Sequence, residues 1–397
     1  MNTPRQLREY QQIARDRTDA EWESGVTRTA IVWPTGIGKT DYIADACIDE
    51  VAKGGRVLVL AHRSELLDQL TERIAAYSKI PVGRIQAAQN DIGYDLIIAM
   101  VQSMCRPKRQ AALDAIGWVP TLVVIDEVHH ALAKSYLMIA RWAGCFDQRR
   151  TKLLGVTATL TRGDGQQFDD LFESVADVVT PEWAISQQLL VKYSTKRIKL
   201  ERRGDRFRQF FRPLTSRGLD ERDSQRIAQE WLRKAENRIT IVYTSSIKLA
   251  HMRTAAFQDA GVPVALVIGS TPYEDRQVIY KKLAAGEIRV MVNVGVATEG
   301  FDCPQVSCIL LDRYTESPGF LTQMIGRGLR PCIDPRTGKP WIDPRTGRAK
   351  TDCRILDTTG VTDDFDLSTL IDIDPRRIHG GQRSRIRSLW ESLTGRR

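Results

Sequence analysis

The residues best suited to chemistry begin at Trp33-Pro34-Thr35-Gly36-Ile37-Gly38-Lys39-Thr40, a glycine-bearing run between an apolar stretch and a helical one. Residues 28 to 33 read as a buried strand, and Asp41 to Ala52 carries apolar residues at helical spacing before Gly54-Gly55 stops it. Such a loop cradles phosphate. Glycines Gly36 and Gly38 let backbone N–H groups turn inward, and the helix N-terminus adds partial positive charge. Lys39 reaches terminal phosphates, and the Thr40 hydroxyl can ligate Mg²⁺, so the loop implies binding of a nucleoside triphosphate. One departure stands out: the usual first glycine is Trp33.

A second strand, Thr121 to Ile125, is continuously apolar and delivers Asp126-Glu127-Val128-His129 at its C-terminal end. Asp126 is placed to hold Mg²⁺, while Glu127 can orient and deprotonate an attacking water. An acidic pair after a strand also serves as a helix N-cap. Its position about 90 residues beyond a phosphate loop favours the chemical role.

With Gly-Ile-Gly-Lys-Thr upstream, Asp-Glu-Val-His resembles the DExH group of superfamily 2 helicases and translocases, and further motifs follow in that family's order. Val57 to Arg63 looks like motif Ia, with His62 and Arg63 as its implied nucleic-acid contacts; Met100-Val101-Gln102-Ser103 looks like motif Ic, with Gln102 and Ser103 on the backbone. Gly155 to Thr159 is similar to motif III, giving Thr157 and Thr159 a coupling role. Ile241 to Thr244 resembles motif IV, with Thr244 touching nucleic acid. Val294 to Asp302 resembles motif V, with Thr298 on nucleic acid and Gly300 and Asp302 toward nucleotide. Gln323 to Arg330 resembles motif VI. Leu7 to Gln11 looks like the adenine-reading segment of the XPB, RadD and type I restriction branch, with Gln11 as the adenine contact and Thr35 joining the phosphate loop.

Motif VI has its own physical reason. Phosphoryl transfer is catalysed by positioning and by cations placed where charge develops. Arg327 and Arg330, three apart, are expected to share a helix face, with Gln323 one turn earlier. Gly326 and Gly328 suggest close approach to a ligand or backbone.

To position these groups, strands and helices must alternate twice. RTAIVW, RVLVLA, DLIIAM, TLVVIDE and KLLGVTAT form one doubly wound α/β pattern. Ile239 to Tyr243, Val264 to Ile268, Val290 to Val294, Ile309 to Asp312 and Arg354 to Asp357 form another. The predicted architecture is α/β: by resemblance, two tandem RecA-like domains, each a mostly parallel sheet, with nucleotide in the interdomain cleft. The expected boundaries are 1–185, 186–372 and a basic tail, 373–397, the junction lying near 180 to 195 at Thr180-Pro181.

The formal net charge of +9 favours a polyanionic partner. Lys196 to Arg212 carries eight basic and two acidic residues with Phe207, Phe210 and Phe211 interleaved, and Pro375 to Arg397 carries seven arginines and one glutamate with Trp390. Aromatics beside a cationic track suit single-strand binding, but a basic loop and a frayed tail have the same composition. Seven irregularly spaced cysteines make no disulfide framework, and because Cys308 falls inside an apolar strand, Cys303, Cys308, Cys332 and Cys353 are not expected to form a zinc site. With no apolar run near the ~20 residues of a span and no leader, a soluble, cytoplasmic protein is expected. Ile333-Asp334-Pro335-Arg336-Thr337-Gly338 recurs as Ile342 to Gly347, read as a protruding hairpin or paired turns that either meet a duplex fork or form a solvated insertion.

The resemblance implies an ATP- and Mg²⁺-dependent DNA helicase or translocase travelling 3′ to 5′, with DNA favoured over RNA. The expected state is a monomer, with no membrane and with any sequence specificity supplied by a protein partner. A duplex translocase, branch-migration factor or RNA helicase has the same motifs. An ATP-gated binding module with little turnover would lack a use for Glu127, Gln323, Arg327 and Arg330.

Overall fold

The computed structural model describes residues 7–128, 134–147, 151–158, 171–200, 221–297, 301–334 and 337–365. They fall into two compact units that divide between Thr180 and Pro181. No helix among the described residues is long and apolar enough to cross a membrane.

In the first unit the order is α1 (Glu9–Glu23), β1 (Arg28–Val32), α2 (Lys39–Ala52), β2 (Val57–Ala61), α3 (Ser64–Tyr77), β3 (Val82–Gln86), β4 (Gln89–Asn90), β5 (Leu96–Met100), α4 (Val101–Met104), α5 (Pro107–Ala115), β6 (Leu122–Asp126), α6 (Lys134–Trp142), β7 (Lys152–Thr157) and β8 (Ser174–Val178). The sheet runs β4-β3-β5-β2-β6-β7-β1-β8, parallel except for the β3–β4 hairpin. Its central strands are buried on both faces, as strands covered by crossover helices must be. The β8 strand, absent from the expected pattern, pairs with β1 at the edge.

Register sets the site. Ile31 of β1 lies level with Val156 of β7, and Val156 with Asp126 of β6. The phosphate loop, Thr157 and the acidic pair therefore leave three adjacent strands at one carboxyl edge, where open parallel sheets bind ligands. Ala61 of β2 lies level with Met100 of β5 on the same edge, which makes neighbours of His62-Arg63 and Gln102-Ser103.

The second unit contains α7 (Pro181–Ser186), β9 (Lys192–Arg197), α8 (Glu221–Lys234), β10 (Thr240–Thr244), α9 (Ile247–Asp259), β11 (Val264–Val267), α10 (Tyr273–Ala284), β12 (Val290–Asn293), β13 (Cys308–Asp312), α11 (Pro318–Leu329), β14 (Asp352–Asp357) and α12 (Val361–Asp364). Its sheet, β11-β12-β10-β13-β14-β9, is parallel throughout. A core of Val242, Val290, Val292, Leu310 and Leu356 packs against Trp231 and Phe257. At the start of the basic run, Lys196 and Arg197 end β9, and Arg197 pairs with the buried Asp357 at 2.9 Å; residues 201–212 lie outside the described residues. Phe207, Phe210 and Phe211 and the tail from Pro375 lie outside the described residues.

The repeat forms paired turns. Ile333 bridges Pro340 and Ile342 bridges Ala349, both antiparallel. Asp343 takes two bonds from Arg289, at 3.0 and 2.7 Å, and Arg289 is fully buried. Asp343 thus ties the second turn to its own unit, while most described residues of both turns stay exposed.

Candidate nucleotide site and its companion helix

Gly36 and Gly38 hold φ of +100° and +93°, a backbone that side-chain-bearing residues rarely adopt, so the loop needs glycine at both. Gly38 caps α2, whose first residues are Lys39 and Thr40. Lys39 Nζ lies 3.3 Å from Glu127 Oε1, and both side chains are buried. Glu127 itself has φ of +56° and donates its N–H to the Asp126 carboxylate at 2.9 Å. A non-glycine residue held left-handed costs about 1–2 kcal/mol and is found where the fold over-determines it for a purpose. Burial, with the Glu127 charge alongside, raises the Asp126 carboxyl to about 6, although Lys39 pulls the other way. Among the described residues the buried Thr35 hydroxyl has no hydrogen-bond partner.

Helix α1 fastens the loop from outside. Gln11 donates to Gly38 O at 3.0 Å, and the Tyr10 hydroxyl donates to Ile37 O. Deeper in the same helix, Arg15 pairs with Asp49 of α2 at 2.8 Å. Trp33, where a glycine was expected, is completely buried with its ring centroid 5.1 Å from Tyr42 and 5.4 Å from Tyr10. Its indole donates to Asp177 of β8 at 2.7 Å, and Asp177 pairs with Arg17. Sequence reasoning missed Tyr10 and Asp177; a lone carboxylate inside the apolar run Ser174 to Val178 was the available signal.

At the neighbouring strand ends, Arg63 caps α3 and Gln102 is exposed, whereas Ser103 is buried and accepts the Ala87 N–H at 3.1 Å. Thr157 is buried at the end of β7, and its carbonyl accepts the Trp33 N–H at 2.8 Å. His129, Thr159, Thr298 and Gly300 lie outside the described residues.

In the second unit, Thr244 is fully buried with its hydroxyl on Asn293 O at 3.1 Å, so it presents no side chain to solvent. Asn293 in turn bonds Val242 O and the Ala297 N–H, and Tyr243 bonds Ala297 O, which ties motif IV to motif V. Gln323 and Arg327 are buried in α11, where Arg327 donates to Phe301 O at 2.6 Å. Arg330 does not share that helix face. It is the C-cap, with ψ of 133°, because Pro331 disfavours helical backbone in the residue before it. From there it pairs with Asp302. Gly328 makes its close approach to side chains: an added Cβ would meet Cys353 Sγ at 2.4 Å. All seven cysteines are free thiols.

Residues 5–162 match the family described as type III restriction enzyme, res subunit, and residues 223–332 match the helicase conserved C-terminal domain. The chain is 27% identical over 345 residues to the Saccharomyces cerevisiae protein named as ATP-dependent helicase IRC3, covering 82% of this chain and 49% of that one. It is 25% identical over 352 residues to the DNA 3′-5′ translocase XPB2 of Sulfurisphaera tokodaii, covering 76% and 75%. A solved type I restriction enzyme HsdR subunit from Vibrio vulnificus superposes with a TM-score of 0.66 at 18% identity, covering 90% of this chain and 65% of that one. The chain spans between 49% and 61% of the length of three of its curated relatives. Two successive helicase-domain matches on two RecA-like α/β units, with the motifs in order along both, place the chain in superfamily 2, the ATP-dependent helicases and translocases.

Proposed function

We propose that the chain hydrolyses Mg-ATP and couples that hydrolysis to movement along nucleic acid, DNA before RNA, in the 3′ to 5′ direction. The observation that carries this reading is the 3.3 Å approach of Lys39 to Glu127, a phosphate-binding cation beside a water-activating carboxylate. Support for DNA and for polarity comes from the similarity to XPB2, a DNA 3′-5′ translocase.

The residues fit the nucleotide. Two left-handed glycines open the loop, and Thr35 offers a hydroxyl with no partner among the described residues. Thr40 and Asp126 are the residues that would hold Mg²⁺, which supplies charge neutralisation on the phosphates. Incoming phosphate competes with Glu127 for Lys39. Once Lys39 turns to the phosphate, the Glu127 carboxylate is able to accept a proton from water. Gln11 reads adenine, and Gln323, Arg327, Arg330 and Asp302 serve the γ-phosphate. His62, Arg63, Gln102, Ser103, Thr244 and Thr298 form the strand track, through backbone groups where side chains are buried. Thr157 and Thr159 transmit the nucleotide state.

Strand displacement tests the finer claims. Duplexes with a 3′ tail, a 5′ tail or an RNA tracking strand should separate in the order 3′-tailed DNA first. Equal displacement from both tails contradicts the polarity, and ATP turnover without displacement favours a duplex translocase.

A further inference from the structure

The strongest unassigned feature is where the second repeat turn ends. Its closing bridge, Ile342 with Ala349, is followed at once by Lys350. The Lys350 ammonium turns inward and donates to Pro304 O at 2.8 Å and to Val306 O. No carboxylate among the described residues pairs with it. Three cations therefore grip one short segment. Arg327 holds Phe301 O, Arg330 holds Asp302, and Lys350 holds Pro304 O and Val306 O.

We propose that Lys350 is a positioning residue: delivered by the docked repeat turn, it fixes the 301–306 segment and, through that segment, the aim of Arg327 and Arg330. The inference rests on the reading that both arginines serve ATP turnover. Buried carbonyls without a donor are unfavourable, so removal of the ammonium frees the segment to re-form its bonds elsewhere. The repeat gains a purpose in this account. The Arg289–Asp343 pair pins the turn, and the turn carries Lys350 to its place.

The groups facing the ammonium make it testable by pH. Burial lowers Lys350 to about 8. Burial pushes the thiols around it upward, Cys303 and Cys353 to about 12 and Cys332 to about 11. Between neutral pH and about 9, Lys350 is the group in this cluster that changes charge.

The experiment compares parent, Lys350→Met and Lys350→Arg as full chains. Amide hydrogen exchange over 301–306 should speed up by about tenfold in Lys350→Met and return toward parent in Lys350→Arg. Nucleic-acid-stimulated kcat should fall by about tenfold in Lys350→Met, with KM for ATP within about twofold. The parent should lose kcat above pH 8, and Lys350→Arg should not. Parent-like exchange and parent-like kcat in Lys350→Met overturn the proposal, as does an alkaline limb that persists in Lys350→Arg. If the parent shows no stimulated turnover, the functional reading fails, and the exchange result alone decides the role of Lys350.

Discussion

At the residue scale the site makes opposite demands of its two central side chains. Lys39→Ala should abolish productive ATP binding. Glu127→Gln should keep binding and lose turnover, because one group anchors phosphate and the other activates water. Equilibrium binding of a fluorescent ATP analogue beside steady-state hydrolysis separates the two. Arg327→Ala and Arg330→Ala should hold nucleotide affinity within about tenfold while cutting stimulated turnover by roughly a hundredfold, since a cation at the γ-phosphate matters most in the transition state. Parent-like turnover in both would remove motif VI from catalysis. Asp126 adds a pH dependence. Its carboxyl is raised in the folded state, to about 6, so its contribution to stability is fully present below about 4 and lost as pH rises through about 6. Melting temperatures of parent and Asp126→Asn should therefore shift in favour of the variant between pH 4 and 7. A constant difference across that window contradicts the assignment.

At the element scale, α1 and β8 hold the phosphate loop in place of its missing first glycine. Asp177→Ala leaves the Trp33 indole N–H and Arg17 without their shared acceptor, whereas Trp33→Phe removes one donor and keeps most of the ring packing. Urea unfolding should show Asp177→Ala losing about 1–3 kcal/mol and Trp33→Phe losing less. The reverse order would mean that ring volume, not the hydrogen bond, secures the loop. Ten strands, β11 at a sheet edge among them, were legible as apolar runs, because a strand covered on both faces shows itself by composition alone. The strands β3, β8 and β9 were not. β8 hides a carboxylate, β9 reads Lys-Tyr-Ser-Thr-Lys-Arg with mostly exposed side chains, and β3 contains Gly83. The site was legible where chemistry dictates residue type, at Lys39, Asp126 and Glu127. It was hidden where a backbone carbonyl is the partner, as for Tyr10, Asn293 and Lys350. Arg330 was legible and misread: Pro331 stood in the sequence to end the helix.

At the scale of the whole molecule, two parallel α/β units each bring their motifs to strand ends fixed by register, and family membership follows from both halves together. Charge should matter beyond the described residues as well. Neutralising the arginines after Pro375 should weaken binding to every sequence and flatten its salt dependence by about one unit per lost phosphate contact, which fluorescence anisotropy at several salt concentrations reads directly. An unchanged slope would make the tail a bystander. The central claim is that the Lys39–Glu127 site turns over ATP in response to nucleic acid. The most direct measurement is the steady-state ATPase rate of the parent and of Glu127→Gln, each without polynucleotide and with single-stranded DNA, duplex DNA, forked DNA and RNA. The account predicts low basal turnover in the parent, strong stimulation by single-stranded or forked DNA, and none under any condition in Glu127→Gln; stimulation that survives in Glu127→Gln, or a parent rate indifferent to every polynucleotide, contradicts it.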